Sequence, residues 1–265
     1  MQRLFHIRHL IIDMDGVLYR ESEPMPGLVD FFDFLRQRDI RFVLATNNST
    51  RTPEQFVQKM AGMEVSIATS DLITSAQATA AYLREIAPPG TLVYAVGQEG
   101  LETALQQAGF VLDSQRAGFV VAGLDTGVTY KKLETATLLI QRGAAFIGTN
   151  SDATLPTPEG LAPGAGAILA AIQTATGVAP TVIGKPAPTL FQQAMARLGA
   201  TPADTATLGD RLETDILASQ RTGLLSLLVL SGATDRALLA QSTVQPDLVF
   251  EDIADLRAKW AGLQP

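Results

Sequence analysis

Two carboxylates, Asp13 and Asp15, lie one residue apart immediately after the apolar run 10–12. Charged groups at the end of a buried strand are costly unless they are paired, hydrogen-bonded or bound to a metal ion. The next residue, Gly16, lets the backbone approach a ligand closely. This segment is therefore the first candidate for a catalytic or metal-binding site.

Hydroxyl and amide side chains follow another predicted strand. Thr46 and Asn47 come directly after residues 41–45 and begin a cluster that runs to residue 50. Such groups, with nearby backbone N–H groups, suit phosphate oxygens. Taken alone, such a cluster after a strand is more often a turn or a helix cap than a phosphate site.

Lys185 lies between a glycine and a proline, just after the strand predicted at 181–183. A cation fixed in this way could neutralise phosphate charge. The alternative is a surface lysine in a turn. The segment is not a P-loop, because no glycine lies five residues before Gly184 and Pro186 replaces the serine or threonine.

A second pair of carboxylates follows the strand predicted at 205–208. Asp210 lies at the junction of this strand with a helix, and Asp215 comes one and a half turns later. Asp210 with Glu213 could form a capping box, which would be purely structural. That interpretation leaves Asp215 unexplained.

Parallel strands place their carboxyl ends at one edge of a sheet, where ligands of open α/β folds bind. These strand ends would bring carboxylates, a lysine and phosphate-binding groups together. The combination favours Mg²⁺, which takes oxygen ligands and pairs one or two carboxylates with substrate phosphate. A calcium-binding EF-hand loop is excluded, because Val17 and Leu18 occupy its fifth and sixth positions counted from Asp13.

The elements that must position these residues alternate along the chain. Short β-branched apolar runs alternate with amphipathic helical segments, which is typical of a parallel sheet covered on both faces. The predicted strands are 10–12, 41–45, 91–96, 118–122, 144–148, 181–183, 205–208, 225–229 and 247–250. The sequence therefore predicts an α/β fold with a doubly wound, Rossmann-like parallel sheet.

Loop-forming clusters at 87–90 and 177–180 divide this pattern. The stretch between them has its own alternation of strands and helices. We therefore expect a core formed by 1–80 and 181–265 and an inserted α/β domain at 81–180. A single continuous α/β domain is the alternative.

Composition limits the function classes. The chain of 265 residues is 46% hydrophobic, has no cysteine and carries a net charge of −7. These values exclude disulfides and thiol catalysis and disfavour a nucleic-acid-binding surface. No apolar stretch reaches the ~20 residues of a membrane span. We expect a cytoplasmic protein with neither nucleic-acid nor membrane partners.

The motifs resemble those of the haloacid dehalogenase (HAD) superfamily of phosphohydrolases. The segment DMDGVLY at 13–19 resembles the first motif, Thr46 the second, Lys185 the third and GDRLETD at 209–215 the fourth. The insertion is similar to the C2-type cap of subfamily IIA, which contains p-nitrophenylphosphatases, phosphoglycolate and pyridoxal phosphatases and nucleotide monophosphatases. The cap motifs that carry this resemblance are VGQEGL at 96–101, GTNSD at 148–152 and GAG at 164–166.

The resemblance implies a Mg²⁺-dependent phosphomonoester hydrolase that works through an aspartyl-phosphate. Asp13 would attack phosphorus, and Asp15 would protonate the leaving oxygen and then deprotonate water. The side chains of Asp13 and Asp210 and the backbone carbonyl of Asp15 would hold Mg²⁺.

The resemblance assigns the other motif residues to supporting roles. Lys185 and Thr46 would bind phosphoryl oxygens, and Asn47 would hold phosphate or substrate. Asp215 would orient the metal ligands or Lys185 from outside the metal's coordination sphere.

Three other functions stay open from the sequence. A HAD phosphotransferase such as a sugar-phosphate mutase has the same motifs. A nucleotide-dependent oxidoreductase is suggested by GAG at 164–166, although Leu169 replaces the third glycine and a Pro-rich loop precedes the motif instead of a strand. A non-catalytic ligand-binding protein could share the fold.

Asn150 and Asp152 are the cap positions expected to recognise the leaving group, with a loop-shaping role as the alternative. The substrate class is left open among sugar phosphates, nucleoside monophosphates, phosphoglycolate and p-nitrophenyl phosphate. The resemblance also implies a homodimer formed through the cap.

Overall fold

The computed structural model describes residues 1–157 and 159–263. Its strands are β1 (His9–Ile12), β2 (Tyr19–Arg20), β3 (Glu23–Pro24), β4 (Arg41–Thr46), β5 (Leu72–Thr74), β6 (Leu92–Val96), β7 (Val111–Leu112), β8 (Phe119–Ala122), β9 (Ala145–Gly148), β10 (Thr154–Thr157), β11 (Gly160–Pro163), β12 (Thr181–Val182), β13 (Thr205–Gly209), β14 (Leu225–Val229) and β15 (Leu248–Phe250). Its α-helices are α1 (Leu28–Gln37), α2 (Pro53–Ala61), α3 (Ser75–Ile86), α4 (Glu99–Gln107), α5 (Tyr130–Gln141), α6 (Ala165–Thr176), α7 (Thr189–Leu198), α8 (Leu217–Thr222), α9 (Arg236–Gln241) and α10 (Ile253–Ala261). The alternation of strands and helices confirms the predicted α/β class.

The chain packs as two compact units, and each is described by itself. Unit 1 consists of Met1–Thr46, Phe56–Ile73 and Lys185–Pro265. Unit 2 consists of Asn47–Gln55 and Thr74–Gly184. The domain limits expected from the sequence, at 81 and 180, stay predictions.

Unit 1 is built on a sheet whose strand order is β15-β14-β13-β1-β4-β5. The pairings of β1 with β13 and β4, and of β14 with β13 and β15, are parallel. All five residues of β14 and of β13 are buried, as expected for strands covered on both faces. The carboxyl ends of β1, β4 and β13 therefore lie side by side.

Helices cover both faces of this sheet. On one face, Phe31 and Phe32 of α1 and Leu256 of α10 pack in one cluster with Leu10 and Ile12 of β1. On the other face, α7 packs against β1 and β4. Burying a large apolar side chain contributes roughly 1.5–3 kcal/mol, so these layers stabilise the strand ends that carry the polar residues.

Unit 2 contains a second parallel sheet, with the order β12-β9-β8-β6-β7. The strand predicted at 181–183 corresponds to β12, which pairs with β9 in this sheet. The expectation that this strand belongs to the sheet of the core was wrong. The difference arises because the partner of a strand is decided by pairing with residues distant in the sequence, here Ile147 and Gly148 of β9.

A short antiparallel ribbon, β10 with β11, precedes α6 in unit 2. Gly164 and Gly166 therefore follow a strand, and the expectation of a Pro-rich loop before them was wrong. The strand is antiparallel, however, so the segment is not the parallel βαβ unit that a dinucleotide fingerprint requires. Among the described residues, every helix is too short or too polar to cross a lipid bilayer.

Candidate active site

Asp13 comes directly after β1, and its backbone N–H donates to the carbonyl of Leu208 at 2.8 Å. This bond continues the pairing of β1 with β13 and fixes the direction of the Asp13 side chain. The carboxylate is 12% exposed, and its Oδ1 lies 2.5 Å from Lys185 Nζ. Burial raises the pKa of Asp13 well above its usual value; Lys185 opposes this effect, and Asp215 and Asp210 add to it.

Lys185 is buried, with 2% of its side chain exposed. Its Nζ donates to Asp13 Oδ1 at 2.5 Å, to Asp215 Oδ1 at 2.6 Å and to the carbonyl of Ala45 at 3.1 Å. Burial disfavours its charged form, but the two carboxylates outweigh this effect and raise the pKa of Lys185 above its usual value. The lysine is therefore a fixed cation, and the surface-turn alternative is wrong.

Asp215 uses both of its carboxylate oxygens within unit 1. Oδ1 accepts from Lys185, and Oδ2 accepts from the backbone N–H of Arg211 at 3.1 Å. The residue lies in the π-helical turn Leu212–Ile216, which follows β13. Asp215 is thus placed to orient Lys185.

Asp210 follows β13 and is 2% exposed. Its Oδ2 accepts from the backbone N–H of Ala233 at 2.6 Å, whereas its buried Oδ1 has no hydrogen-bond partner among the described residues. Burial raises the pKa of Asp210 to about 7; the charge of Asp215 adds to the shift, and the Ala233 N–H opposes it. The turn that follows has Arg211 at its N-cap with no side-chain cap, so the capping-box alternative is wrong.

Two glycines make room for Asp210. A Cβ at Gly16 would lie 2.4 Å from Asp210 Oδ2, and one at Gly232 would lie 2.0 Å from the same oxygen. Gly16 also has a φ of 83°, which is strained for other residues. The glycine after Asp15 is therefore required by the neighbouring carboxylate and by the turn.

The carboxylates form a group that fits a hard divalent cation. Ligand oxygens of Asp13, Asp210 and Asp215 lie within 4.8 Å of one another. Among the described residues, Asp210 Oδ1 is a buried hydrogen-bond acceptor without a partner, which is costly. A bound cation would remove this cost, so this oxygen is the best-suited metal ligand of the group. The all-oxygen donor set suits Mg²⁺. Asp13 and Asp210 would hold the ion, since the oxygens of Asp215 are already engaged.

Asp15 is exposed, unlike Asp13. Met14 between them is fully buried, and the Gly16 N–H donates to the Tyr19 carbonyl at 2.8 Å, which closes the turn after Asp15. Asp13 and Asp15, two positions apart, therefore differ: the Asp13 carboxylate is fixed by Lys185, and the Asp15 carboxylate is exposed to solvent.

Thr46 ends β4 and is 3% exposed. The following residues belong to unit 2, where Asn47 Nδ2 donates to Asp152 Oδ1 at 3.2 Å. Asn150 is 5% exposed, and its Oδ1 accepts from Thr149 Oγ1 at 2.9 Å. The structure thus brings Asn47 together with Asp152 in unit 2, and Asp13 together with Lys185, Asp210 and Asp215 in unit 1.

The loop after β14 was not predicted as part of the site. Besides the Ala233 N–H on Asp210 Oδ2, the Thr234 N–H donates to the Asp210 carbonyl at 3.1 Å. The signal was present, since the strand 225–229 is followed by the small polar segment SGAT at 231–234. This segment resembles the cluster after β4 in its small polar residues.

The chain is similar to known proteins over most of its length. Residues 10–111 match the model of the haloacid dehalogenase-like hydrolase family, and residues 182–256 match a second HAD-like hydrolase model. An acid sugar phosphatase of Staphylococcus aureus is 38% identical over 250 residues, which cover 94% of this chain and 96% of the relative. The chain belongs to the haloacid dehalogenase-like hydrolases.

Solved structures agree with this assignment. A 4-nitrophenylphosphatase from Thermotoga maritima superposes with a TM-score of 0.93 at 33% identity, covering 97% of this chain and 98% of the other. A glycerol phosphate phosphatase from Mycobacterium tuberculosis, solved in complex with magnesium, gives a TM-score of 0.90 at 33% identity and covers 96% and 77%. The predictions of subfamily, of a phosphomonoester hydrolase and of Mg²⁺ as cofactor are confirmed.

Proposed function

We propose that this phosphatase hydrolyses small sugar and polyol phosphates through an aspartyl-phosphate on Asp13. The names of the acid sugar phosphatase and glycerol phosphate phosphatase relatives support this substrate class. The observation that carries the chemistry is the Asp13 carboxylate, fixed 2.5 Å from the buried Lys185 and beside the unpartnered oxygen of Asp210.

Asp13 is the nucleophile in this proposal. A carboxylate approaching a phosphate dianion meets electrostatic repulsion, and the Lys185 ammonium opposes that repulsion at the point of attack. When bound by Asp13, Asp210 and the backbone carbonyl of Asp15, Mg²⁺ supplies further positive charge at the phosphoryl group. Thr46 binds a remaining phosphoryl oxygen through its hydroxyl, and Asn47 does so through its backbone N–H, because its side-chain Nδ2 already donates to Asp152.

Asp15 is the general acid and base. Its exposed carboxyl group can exchange protons with water between steps, whereas the Asp13 carboxylate is held by Lys185. Asp15 protonates the leaving oxygen of the ester, and it then takes a proton from the water that attacks phosphorus. Asp215 holds Lys185 in place throughout, since its two oxygens join Lys185 to the Arg211 backbone.

Other expectations extend this proposal. The leaving-group role expected from the sequence for Asn150 and Asp152 stays a prediction, which a comparison of several esters can test. A cytoplasmic location and a homodimer formed through the inserted domain also stay predictions, which cell fractionation and analytical ultracentrifugation can check.

The test is a phosphate-release screen with and without Mg²⁺. It compares hexose and pentose phosphates, glycerol phosphate, phosphoglycolate, pyridoxal phosphate, nucleoside monophosphates and p-nitrophenyl phosphate. We expect Mg²⁺-dependent release, with the highest kcat/KM among natural esters for a sugar or polyol phosphate. A clear preference for nucleotides or pyridoxal phosphate would contradict the proposed substrate class.

A further inference from the structure

Two residues proposed to bind phosphate are each one peptide bond away from a residue of unit 2. Thr46 precedes Asn47, and Lys185 follows Gly184. Within unit 2 these two neighbours touch, because a Cβ at Gly184 would lie 2.7 Å from Asn47 Oδ1. The Gly184 N–H also donates to the Thr149 carbonyl at 2.8 Å. Contacts within unit 2 therefore hold Asn47 and Gly184 together, and these are the residues that adjoin Thr46 and Lys185 in the chain.

Asp152 holds the Asn47 side chain in this arrangement. Asn47 Nδ2 donates to both carboxylate oxygens of Asp152, at 3.2 and 3.3 Å. The Asn47 carbonyl accepts from Ser75 Oγ at 2.6 Å. Hydrogen bonds to a carboxylate are stronger than those between neutral groups, so Asp152 sets the rotation of the amide and directs its oxygen toward Gly184.

The GAG motif at 164–166 holds Asp152 in turn. The Gly166 N–H donates to the Asp152 carbonyl at 2.8 Å. A Cβ at Gly164 would lie 2.3 Å from that carbonyl oxygen, and one at Gly166 would lie 2.5 Å from the Ser151 carbonyl oxygen. Only glycines allow this approach. The motif that suggested nucleotide binding thus serves to place the Asp152 backbone.

We propose that Asp152 is a positioning residue of the phosphatase reaction. Through Asn47 it fixes the backbone next to Thr46, and through the contact with Gly184 it fixes the backbone next to Lys185. The inference rests on the proposed function, because it requires Thr46 and Lys185 to bind the phosphoryl group. Misplacing such groups by about 1 Å costs up to about a hundredfold in rate.

A positioning role and a specificity role for Asp152 differ in what they change. The phosphoryl group is common to every ester, so a positioning residue affects kcat for all substrates by the same factor. A residue that contacts the leaving group changes the ratio of kcat/KM between substrates instead. The comparison of several esters therefore separates the two roles.

The experiment measures kcat and KM for p-nitrophenyl phosphate, glycerol phosphate and glucose phosphate in Asp152→Leu and Asp152→Asn. Leucine has a similar size but no acceptor, and we expect kcat to fall by about tenfold or more for all three esters. Asparagine keeps one acceptor oxygen for Asn47 Nδ2, and we expect kcat within about fivefold of the wild type. The kcat/KM ratios between esters should stay unchanged in both variants.

Asp113→Leu is the matched control in unit 2. Asp113 Oδ1 accepts from the backbone N–H groups of Gln115 and Arg116, each at 2.7 Å, so its loss also removes local hydrogen bonds. We expect wild-type kcat in this variant. An unchanged kcat in Asp152→Leu, or a changed ratio between esters, would overturn the inference. Absence of Mg²⁺-dependent release in the wild type would instead contradict the proposed function.

Discussion

Each unit of the molecule contains a buried aspartate paired with a lysine, and the two pairs differ in what they leave unsatisfied. In unit 2, Asp125 Oδ2 accepts from Lys132 Nζ at 2.6 Å, and its Oδ1 accepts from the Gly127 N–H at 2.9 Å. Both oxygens are occupied, and Lys132 is 38% exposed. The charges balance locally, and water screens the lysine.

In unit 1, two carboxylates bind one ammonium, and a third carboxylate lies beside them. Lys185 is paired with Asp13 and Asp215, and all three side chains are at most 12% exposed. Asp210 lies beside them with one oxygen that has no partner among the described residues. This cluster therefore carries an excess of buried negative charge.

The difference teaches how to distinguish a structural ion pair from an active site. A closed pair such as Asp125–Lys132 needs nothing further. An excess of buried carboxylate charge destabilises the folded protein unless a cation or protons compensate it, and proteins retain such an arrangement at functional sites. Variants of the unit 1 cluster should therefore reduce activity more than stability. Variants of the Asp125–Lys132 pair should reduce stability more than activity.

The largest expected effect belongs to Asp13→Asn. Asparagine is nearly isosteric but cannot form the acyl-phosphate, so kcat should fall by at least about a thousandfold. Thermal stability should not fall, because the substitution removes one of the excess buried negative charges. Steady-state kinetics and thermal unfolding check this pair of outcomes. Substantial residual turnover in purified variant would rule out Asp13 as nucleophile.

Asp215→Asn should have an intermediate effect. The amide oxygen can still accept from Lys185, but the charge that helps to hold the ammonium is lost. Substitutions of residues that orient a metal ligand or a catalytic group typically reduce activity by about 10- to 100-fold, and we expect a loss of kcat in this range. A loss as large as that of Asp13→Asn, measured in the same assay, would show that Asp215 takes part directly in the chemistry.

Mg²⁺ should stabilise the protein more at high pH than at low pH. The pKa of Asp210 is raised from 3.8 to about 7, so the metal-free protein loses stability as pH rises through this interval. Mg²⁺ binds the deprotonated carboxylates and removes this penalty.

The measurement is the rise in Tm on adding Mg²⁺. At about 100 times Kd the rise should be about 5–10 °C near pH 8. It should be much smaller near pH 5, where protons compete for the same carboxylates. Asp210→Asn, which lacks the ligand charge, is the control and should show little rise at either pH. An equal rise at both pH values would contradict the assigned site.

The smallest effect on activity is expected for Asp125→Asn in unit 2. The variant weakens a bond to a partly exposed lysine, so the free energy of unfolding should fall by about 1–2 kcal/mol. The kcat should stay within about twofold of the wild type, since the pair holds no unsatisfied charge. Denaturant unfolding and kinetics on the same sample test whether the two ion pairs differ as proposed.

Much of the fold could be predicted because hydrophobic patterning is local. The strands predicted from apolar runs, such as 41–45 and 225–229, begin and end within one residue of β4 and β14. The strands β2, β3, β5, β7, β10 and β11 were not predicted, since none of them contains a run of three hydrophobic residues. The sheet to which β12 belongs depends on pairing with β9, which is distant in the sequence.

The site, like the fold, could be predicted from the sequence only in part. The unusual chemistry of Asp13, Lys185 and Asp210 at strand ends was visible in the sequence, and the structure brings these residues together. The backbone N–H of Ala233, which binds Asp210, has no residue type of its own, so its only signal in the sequence was the small polar segment at 231–234. The orphaned oxygen of Asp210 likewise depends on burial, which only the folded chain defines.

The most direct test of the central claim uses Asp15→Asn with p-nitrophenyl phosphate. This leaving group departs without protonation, so Asp13 can still be phosphorylated, whereas hydrolysis of the intermediate lacks its general base. Rapid mixing should give a burst of one equivalent of p-nitrophenolate, and mass spectrometry should find one phosphoryl group on the peptide that contains Asp13. Steady release without a burst, from a protein that never carries phosphate, would contradict the account.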